Sequence, residues 1–265
     1  MTVPASDNRN GAQTLRRALA VLDFLRDHPG SHRLSDIAAA TGLSPTVAHR
    51  LLSELKAHSL VDQGAATREY RLGNGVLSYA SAVLRDSDIV RVGAPIVRRL
   101  RDECAETTTL QVPSGRDRVV VYEAEARHEL RHRAPVGQKV PMHASASGRA
   151  MLAFMSADEI EDVLAGPFQS FTDQTVTSAE SIRGELEEIR RRGFAVVHDQ
   201  TRLGIGAVAA PVFRLGGRPI GSIAVTGPSE RILAVTETLT AAVLHASAEI
   251  STELGFSPAA AAVID

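Results

Sequence analysis

Residues 33–73 constrain the fold most, because they encode two short helices, a glycine turn and a hairpin in close succession. Ser35 predicts the start of the first helix, since its hydroxyl can accept a hydrogen bond from a free backbone N–H. Gly42 can adopt the left-handed conformation that ends that helix. Ser44 is typical of the N-cap of a second helix, which we predict over residues 45–58. The segment therefore predicts a helix-turn-helix followed by a wing.

The second helix divides its residues between two faces. Apolar side chains recur at three- and four-residue spacing and predict an inward stripe of Val47, Leu51, Leu52 and Leu55. The opposite face is polar and cationic near the helix N-terminus, the part that a recognition helix presents to the major groove. Segments 60–61 and 70–72 predict the two strands of a wing beside that groove. The candidate DNA-binding residues are Ser44, Pro45, Thr46, His49, Arg50, Arg68 and Arg71.

These candidates have different expected roles. Arg50 is suited to a bidentate contact with guanine, whereas Arg68 and Arg71 are suited to phosphate contacts from the wing. The alternative is a small helical subdomain with a solvated polar face, and each single residue could be an ordinary surface side chain. The charge distribution favours DNA binding, because residues 1–85 carry ten basic and seven acidic side chains, whereas the remainder carries 19 and 24.

Composition limits the class of protein. Cys104 is the only cysteine, so no intramolecular disulfide can form, which fits a reducing cytosol. No apolar run approaches the roughly 18 residues of a membrane span, and the polar N-terminus lacks the apolar core of a signal peptide. We therefore expect a cytoplasmic protein that does not act at a membrane.

The periodicity changes along the chain and predicts five segments. They are a flexible arm (1–11), the winged helix-turn-helix domain (12–73, with a first helix over 14–27), a helical linker (74–87), a further domain (88–256) and a flexible tail (257–265). The linker has an apolar face that could pack on a second subunit. The further domain begins with a helix (88–104) and has strand patterns at 107–112, 118–124, 130–135, 194–198, 207–214 and 219–226. Its other helix patterns are at 145–155, 158–164, 180–192 and 231–254. This order predicts an α+β domain with a curved antiparallel sheet flanked by helices.

Several separated motifs resemble the IclR family of bacterial transcriptional regulators in order and spacing. They are RALAVLDFL, LSDIAAATGLSPTVAHRLLSEL, YRLG, VGQKVPMHASASGRAMLAF, GAVAAPVF and SIAVTGP, which together span nearly the whole chain. The resemblance implies a winged helix-turn-helix, a helical linker and a GAF-like effector domain, in dimers that pair into tetramers on DNA. This chain departs from the family pattern at Pro45 and Val47, where Lys and Ser or Thr are usual, and at Ala207, where a cysteine is frequent.

The resemblance also implies an effector site on the concave face of the sheet. The lining carried over by motif is His132, Val140, Ala146, Ser147, Ile205, Ala207, Ala224 and Thr226, with Val197 or Asp199 at the edge. The residue types at this position also predict a binding site, because a helix starting near Ser145 offers free backbone N–H groups and hydroxyl donors. Such a site suits a small carboxylate.

Other interpretations of these residues are open. Ser145 could act only as an N-cap, and the sequence Ala-Ser-Ala-Ser-Gly lacks the Gly-x-Ser-x-Gly form of a nucleophile elbow. His128 and His132 are four residues apart on a predicted strand, too far separated to share a metal. On that strand Arg131 and Arg133 would face solvent. We predict no catalytic residue, no metal and no cofactor.

These observations predict a ligand-responsive transcriptional regulator, more in the manner of a repressor than of an activator. Its expected partners are double-stranded operator DNA, a small organic acid or aromatic metabolite, and further copies of itself as a dimer or tetramer. One alternative is an enzyme that uses the C-terminal pocket, which requires a nucleophile–base set. The other is a ligand-independent DNA-binding protein, which requires a filled second core.

Overall fold

A computed structural model describes residues 5–257, with side chains from residue 11 onward. The chain divides into two compact units, one ending at Asp86 and the other beginning at Ser87. Each unit has its own apolar core.

The first unit is a winged helix-turn-helix. Its elements are α1 (Ala5–Asp27), α2 (Leu34–Thr41), α3 (Pro45–Ala57), β1 (Val61–Gln63), β2 (Tyr70–Leu72) and α4 (Gly75–Arg85). Strands β1 and β2 pair antiparallel, with Val61 opposite Leu72. The core joins the inner faces of α1, α2 and α3 to the wing through Val21, Ile37, Leu52 and Tyr70. The predicted architecture of this half is confirmed.

Two helix boundaries in this unit differ from those expected. Helix α1 starts at Ala5, so residues 5–11 are helical although a flexible arm was expected; residues 1–4 lie outside the described part. Extending an existing helix costs little, because nucleation is the unfavourable step. Helix α2 starts at Leu34, and Ser35 does not cap it. The reason lies in the two residues before the helix, since His32 pairs with Tyr70 of the wing and Arg33 is extended.

The second unit is an α+β domain built on one six-stranded antiparallel sheet with the order β5-β4-β3-β8-β7-β6. The strands are β3 (Thr107–Ser114), β4 (Asp117–Ala124), β5 (Lys139–Pro141), β6 (Ala195–His198), β7 (Ile205–Phe213) and β8 (Pro219–Pro228). The helices are α5 (Asp88–Cys104), a 3-10 turn (Met142–Ala144), α6 (Ala146–Leu152), α7 (Ala157–Leu164), α8 (Ala179–Arg192), α9 (Ser229–Ala234) and α10 (Thr236–Glu253).

The sheet has a helical layer on each face. Helices α5 and α10 pack on one face, and α6 packs on the other, with α7 and α8 in the same core. Successive side chains of a strand point to opposite faces, so Leu110 lies against Gly93 of α5, whereas Thr109 and Gln111 point toward α6. The α6 side therefore carries the polar side chains of Thr109 and Gln111.

Two predicted elements of this unit differ from the structure. Residues 130–135 form a loop, and the edge strand beside β4 is β5, which lies where a loop was expected. Hydrogen bonds hold the loop in place, since Arg231 donates to the carbonyl of Leu130 and the Thr107 hydroxyl to that of His132. The predicted helix over 231–254 is broken at Val235 into α9 and α10. The predicted flexible tail lies outside the described residues from 258 onward.

Candidate DNA-binding face and effector pocket

Helix α3 exposes its N-terminal polar face. The hydroxyl of Ser44 accepts a hydrogen bond from the backbone N–H of Val47 at 3.4 Å and caps the helix, as predicted. The inward residues Leu51 and Leu52 are buried, and so is Ala48, which the predicted stripe omitted. The candidate DNA-binding residues of this helix and its cap are all exposed, namely Ser44, Pro45, Thr46, His49 and Arg50.

The wing adds two exposed cations to this unit. Arg68 lies in the turn of the hairpin with a φ of 57°, and Arg71 projects from β2. Within residues 11–257, neither they nor Arg50 form an ion pair, whereas Arg26 of α1 binds both Asp23 and Asp27. Unpaired arginines on one unit are available for phosphates or base edges.

A small cavity of about 40 Å³ lies between α6 and the sheet. One row of facing residues crosses the floor of the sheet, from Thr226 on β8 through Ala207 on β7 to Val197 on β6. The N-terminus of α6 forms the roof, and the loop carrying His132 forms one side. The full lining is Thr109, Gln111, Arg118, His132, Ala134, Ala144, Ser145, Ala146, Ser147, Val197, Thr201, Ile205, Gly206, Ala207 and Thr226.

The cavity collects most of the residues expected at the effector site. His132, Ser145, Ala146, Ser147, Ile205, Ala207 and Thr226 line it, and Val197 takes the edge position. Three expected residues do not line it. Val140 lies on the edge strand β5, and Ala224 is fully buried in the core. The carboxylate of Asp199 accepts hydrogen bonds from the Gly204 N–H and the Ser229 hydroxyl, so it stabilises a turn instead.

Helix α6 begins at the cavity because of two local features. The Ser145 hydroxyl accepts the N–H of Gly148 at 3.1 Å, so this serine is an N-cap and that N–H is already bonded. Gly148 itself is pressed against Met142, because a Cβ at this position would overlap the Met142 backbone. The close approach places Ser147 beside the sheet, where its hydroxyl has no hydrogen-bond partner among residues 11–257.

Arg149 connects this helix to its surroundings. Its side chain is 1% exposed, and its three nitrogens donate to the His143 carbonyl, the Glu185 carboxylate and the Gln200 side-chain oxygen. Gln200 precedes Thr201 of the cavity lining. A buried guanidinium with all its nitrogens paired is a structural link, and it fixes α6 to α8 and to the loop after β6.

Arg118 is the main residue that the sequence interpretation missed. It lies on β4, and cross-strand pairing of Val120 with Gln111 places both 118 and 120 on the α6 face of the sheet. Its Nε and Nη1 atoms are buried without a hydrogen-bond partner. Burial lowers the pKa of Arg118 to about 10. The available signal was the alternation along the predicted strand, which places an arginine on the inner face.

His132 lies at the side of the cavity. Two hydrogen bonds fix its loop, since the Thr107 hydroxyl donates to the His132 carbonyl at 2.6 Å and the Ala134 N–H to Glu123 at 2.6 Å. Burial, followed by the charges of Arg202 and Arg118, lowers the pKa of His132 below its usual value of 6.5. The imidazole is therefore neutral near pH 7, and it can donate or accept a hydrogen bond.

The described residues offer little support for a metal centre, a reactive thiol or a membrane-spanning helix. No three His, Cys, Asp or Glu side chains among the described residues converge as metal ligands. Burial raises the pKa of the Cys104 thiol, which disfavours the reactive thiolate. From residue 5 to residue 257, no helix combines the length and apolar character that a membrane crossing requires.

Comparison with known families matches both units. Residues 14–65 match the IclR helix-turn-helix domain, and residues 81–252 match the C-terminal domain of bacterial IclR transcriptional regulators. The second match alone spans more than half of the chain.

Individual relatives agree with these matches. The HTH-type transcriptional repressor AllR of Klebsiella pneumoniae is 30% identical over 254 residues, which cover 95% of this chain and 93% of that protein. The crystal structure of Thermotoga maritima IclR superposes with a TM-score of 0.71 at 27% identity, covering 92% and 100% of the two chains. An IclR homologue from Microbacterium hydrocarbonoxydans, complexed with 4-hydroxybenzoate, gives a TM-score of 0.77 at 24% identity, covering 92% and 100%.

Proposed function

The chain belongs to the IclR family of bacterial transcriptional regulators, and we propose that it is a cytoplasmic repressor whose operator affinity changes when a small organic acid or aromatic metabolite binds. The first unit binds DNA, and the second is the effector domain. The sign of regulation follows the relatives named as the repressor AllR.

The exposed face of α3 supports a specific role for individual residues in operator binding. Arg50 lies on the N-terminal half of α3, where its guanidinium can make a bidentate contact with guanine. Arg68 and Arg71 are placed on the wing to contact phosphates. All three arginines lack an ion pair within residues 11–257, so operator binding breaks no existing pair.

Helix α4 supports self-association. None of its residues is buried, and three of them are large apolar side chains: Leu77, Tyr79 and Val83 are 66%, 65% and 68% exposed. Tyr79 and Val83 are four residues apart and share one face of the helix. Neighbouring exposed apolar side chains of this size are typical of an interface. We therefore propose that α4 packs against a second copy of the chain, so that two recognition helices bind two half-sites of the operator.

The observation that carries the effector proposal is the composition of the cavity wall. Its lining contains the hydroxyls of Ser147, Thr201 and Thr226, which have no hydrogen-bond partner among the described residues, and it contains no carboxylate. A site with free hydroxyl donors, the neutral imidazole of His132 and one cation, Arg118, favours an acidic ligand. The Microbacterium relative is complexed with an aromatic acid, 4-hydroxybenzoate.

Effector and operator binding must be coupled for this function. If an effector weakens DNA binding by some factor, DNA weakens effector binding by the same factor. The test is fluorescence anisotropy of a duplex from upstream of the gene, compared with a scrambled duplex, with and without small acids. Specific binding that an acid changes supports the proposal. A ligand-independent binder would give specific binding that no acid changes.

A further inference from the structure

We infer that Arg118 is the carboxylate-binding residue of the effector cavity, and that it selects acids over neutral compounds of the same shape. The inference deepens the proposed function and rests on it. Three observations carry it, namely the unpaired guanidinium, its contrast with Arg149, and the absence of an internal counter-ion in the lining.

The guanidinium of Arg118 makes no hydrogen bond and no ion pair within residues 11–257, and two of its nitrogens are shielded from solvent. An arginine cannot relieve this burial by releasing a proton near pH 7. A buried cation without a partner is costly. The site is therefore energetically prepared for an anion that enters with its own charge.

Arg149 shows how the same domain treats an arginine with a structural role. It is buried in the helical layer above the sheet, and each of its nitrogens has an oxygen acceptor, one of them the carboxylate of Glu185. Arg118 lies on the sheet beneath that layer and has none. Because the fold supplies a complete acceptor set to one buried guanidinium and none to the other, Arg118 is not explained as a structural link.

The cavity lining contains no residue that could serve as a counter-ion. No Asp or Glu is among its residues, and the amide oxygen of Gln111 accepts a hydrogen bond from Ser222. The Thr109 hydroxyl accepts one from the Gln111 amide. The side chains that remain free are hydroxyl donors and the neutral His132. They suit the far oxygen of a carboxylate, or a hydroxyl or oxo group next to it.

The size of the cavity limits the ligand. At about 40 Å³ it offers room for about three waters, at roughly 10–15 Å³ each by the same measure. A carboxylate with one or two further carbons fits this volume. An aromatic acid is larger than this cavity, so the structure favours a short-chain acid in the arrangement described.

The first experiment uses the full-length wild-type protein and three acids, acetate, pyruvate and benzoate. Each acid is compared with its neutral amide at constant ionic strength, by thermal melting. We expect at least one short acid to raise the melting temperature, and its amide to leave it unchanged, since binding to the native state stabilises it. Equal effects of acid and amide, or no effect of any acid, would overturn the inference.

The second experiment compares Arg118→Met with the control Arg202→Met. Arg202 is exposed and does not line the cavity, although its charge is close enough to lower the pKa of His132. By isothermal titration, Arg118→Met should weaken binding of the stabilising acid by at least about tenfold, because charge-assisted hydrogen bonds are lost. The affinity of the Arg202→Met control for the same acid should stay within about threefold of the wild-type affinity. Equal weakening in both variants would mean that the general field, not an anchor, attracts the acid.

A third measurement needs no ligand. Without added acid, Arg118→Met should melt at the same temperature as wild type or higher, because it removes a buried unpaired cation and keeps the volume similar. A melting temperature several degrees lower would show that the guanidinium supports the fold, and would overturn the inference.

These outcomes separate the inference from the proposed function. An acid that binds through Arg118 without changing operator affinity would refute the regulatory proposal and leave the anchor intact. An acid response of operator binding that survives Arg118→Met would refute the anchor and leave the regulatory proposal intact.

Discussion

Arg149 donates a hydrogen bond from Nη2 to Oε1 of Gln200 at 2.5 Å, and this bond joins helix α6 to the loop that leads into the cavity at Thr201. The same oxygen of Gln200 also accepts the backbone N–H of Val176. Helix, loop and the segment before α8 therefore meet at a single half-buried group, the side-chain oxygen of Gln200.

Replacing Arg149 with methionine should destabilise the second unit by about 3 kcal/mol, because a buried charged network loses its donor. The cost is at the low end of the usual range, since the remaining carboxylate of Glu185 is 40% exposed and can be hydrated. Urea denaturation measures the effect. The control is Arg183→Met, which removes an exposed pair with Glu161 and should leave the midpoint nearly unchanged. Equal effects of the two substitutions would contradict the account of Arg149.

Gly148→Ala should cost about 1–3 kcal/mol, because the added methyl group meets the backbone of Met142 and α6 must shift. The shift also displaces Ser147, so the response to effector should be lost. Gly184→Ala is the matched control, since its methyl group meets nothing within 4 Å on helix α8. That change should stabilise the protein by about 0.5–1 kcal/mol. Thermal melting of both variants measures these changes in stability. If Gly148→Ala has the melting temperature of wild type, the close packing of α6 against Met142 is not required.

Arg50→Ala and Arg71→Ala should affect DNA binding differently. Loss of a base contact at Arg50 should cost about 1–3 kcal/mol on the operator and little on a scrambled duplex. Loss of a phosphate contact at Arg71 should weaken both duplexes alike and reduce the salt dependence. Anisotropy titrations over a range of salt concentrations distinguish the two. If Arg50→Ala binds the operator with the wild-type affinity, Arg50 does not contact a base of the operator.

The second unit should lose stability on acidification because of two histidines. Burial lowers the pKa of His143, which is 3% exposed and bonds to the Gln169 carbonyl, and the pKa of His132 is lowered as well. A lowered native pKa means that the unfolded chain binds more protons below about pH 6.5. Stability is therefore complete above that pH and falls below it. His143→Gln should give a shallower fall in melting temperature between pH 7.5 and 5.5, and an unchanged slope would exclude His143 as the cause.

The first unit could be predicted from sequence because its signals are local. The cap at Ser44, the glycine turn and the leucine spacing lie within residues 33–73, and each acts through nearest neighbours. The error at the start of α2 arose from one longer contact, between His32 and Tyr70, which sets where that helix begins. Local patterns do not contain such a pairing.

The lining of the cavity could be predicted only in part, because strand register decides which side chains meet. The strand containing Arg118 was expected over residues 118–124, yet its inner face depends on an extra residue, Val121, between the residues that pair with Leu110 and Gln111 of the neighbouring strand. Asp199 was expected to meet a ligand, but it adopts a φ of 58° and bonds within its own turn. The positions of Arg118 and Asp199 both depend on interactions with residues that are distant in sequence, namely the pairing of β3 with β4 and the hydrogen bond from Ser229.

The measurement that tests the central claim most directly is operator binding in the presence of an acid. The full-length protein is titrated against the duplex from upstream of its gene and a scrambled duplex, with acetate, pyruvate or benzoate added in turn. The account predicts tighter binding to the first duplex, a steep fall with salt, and a change in affinity caused by at least one acid. Equal, weak binding to both duplexes, unaffected by every acid, would contradict it.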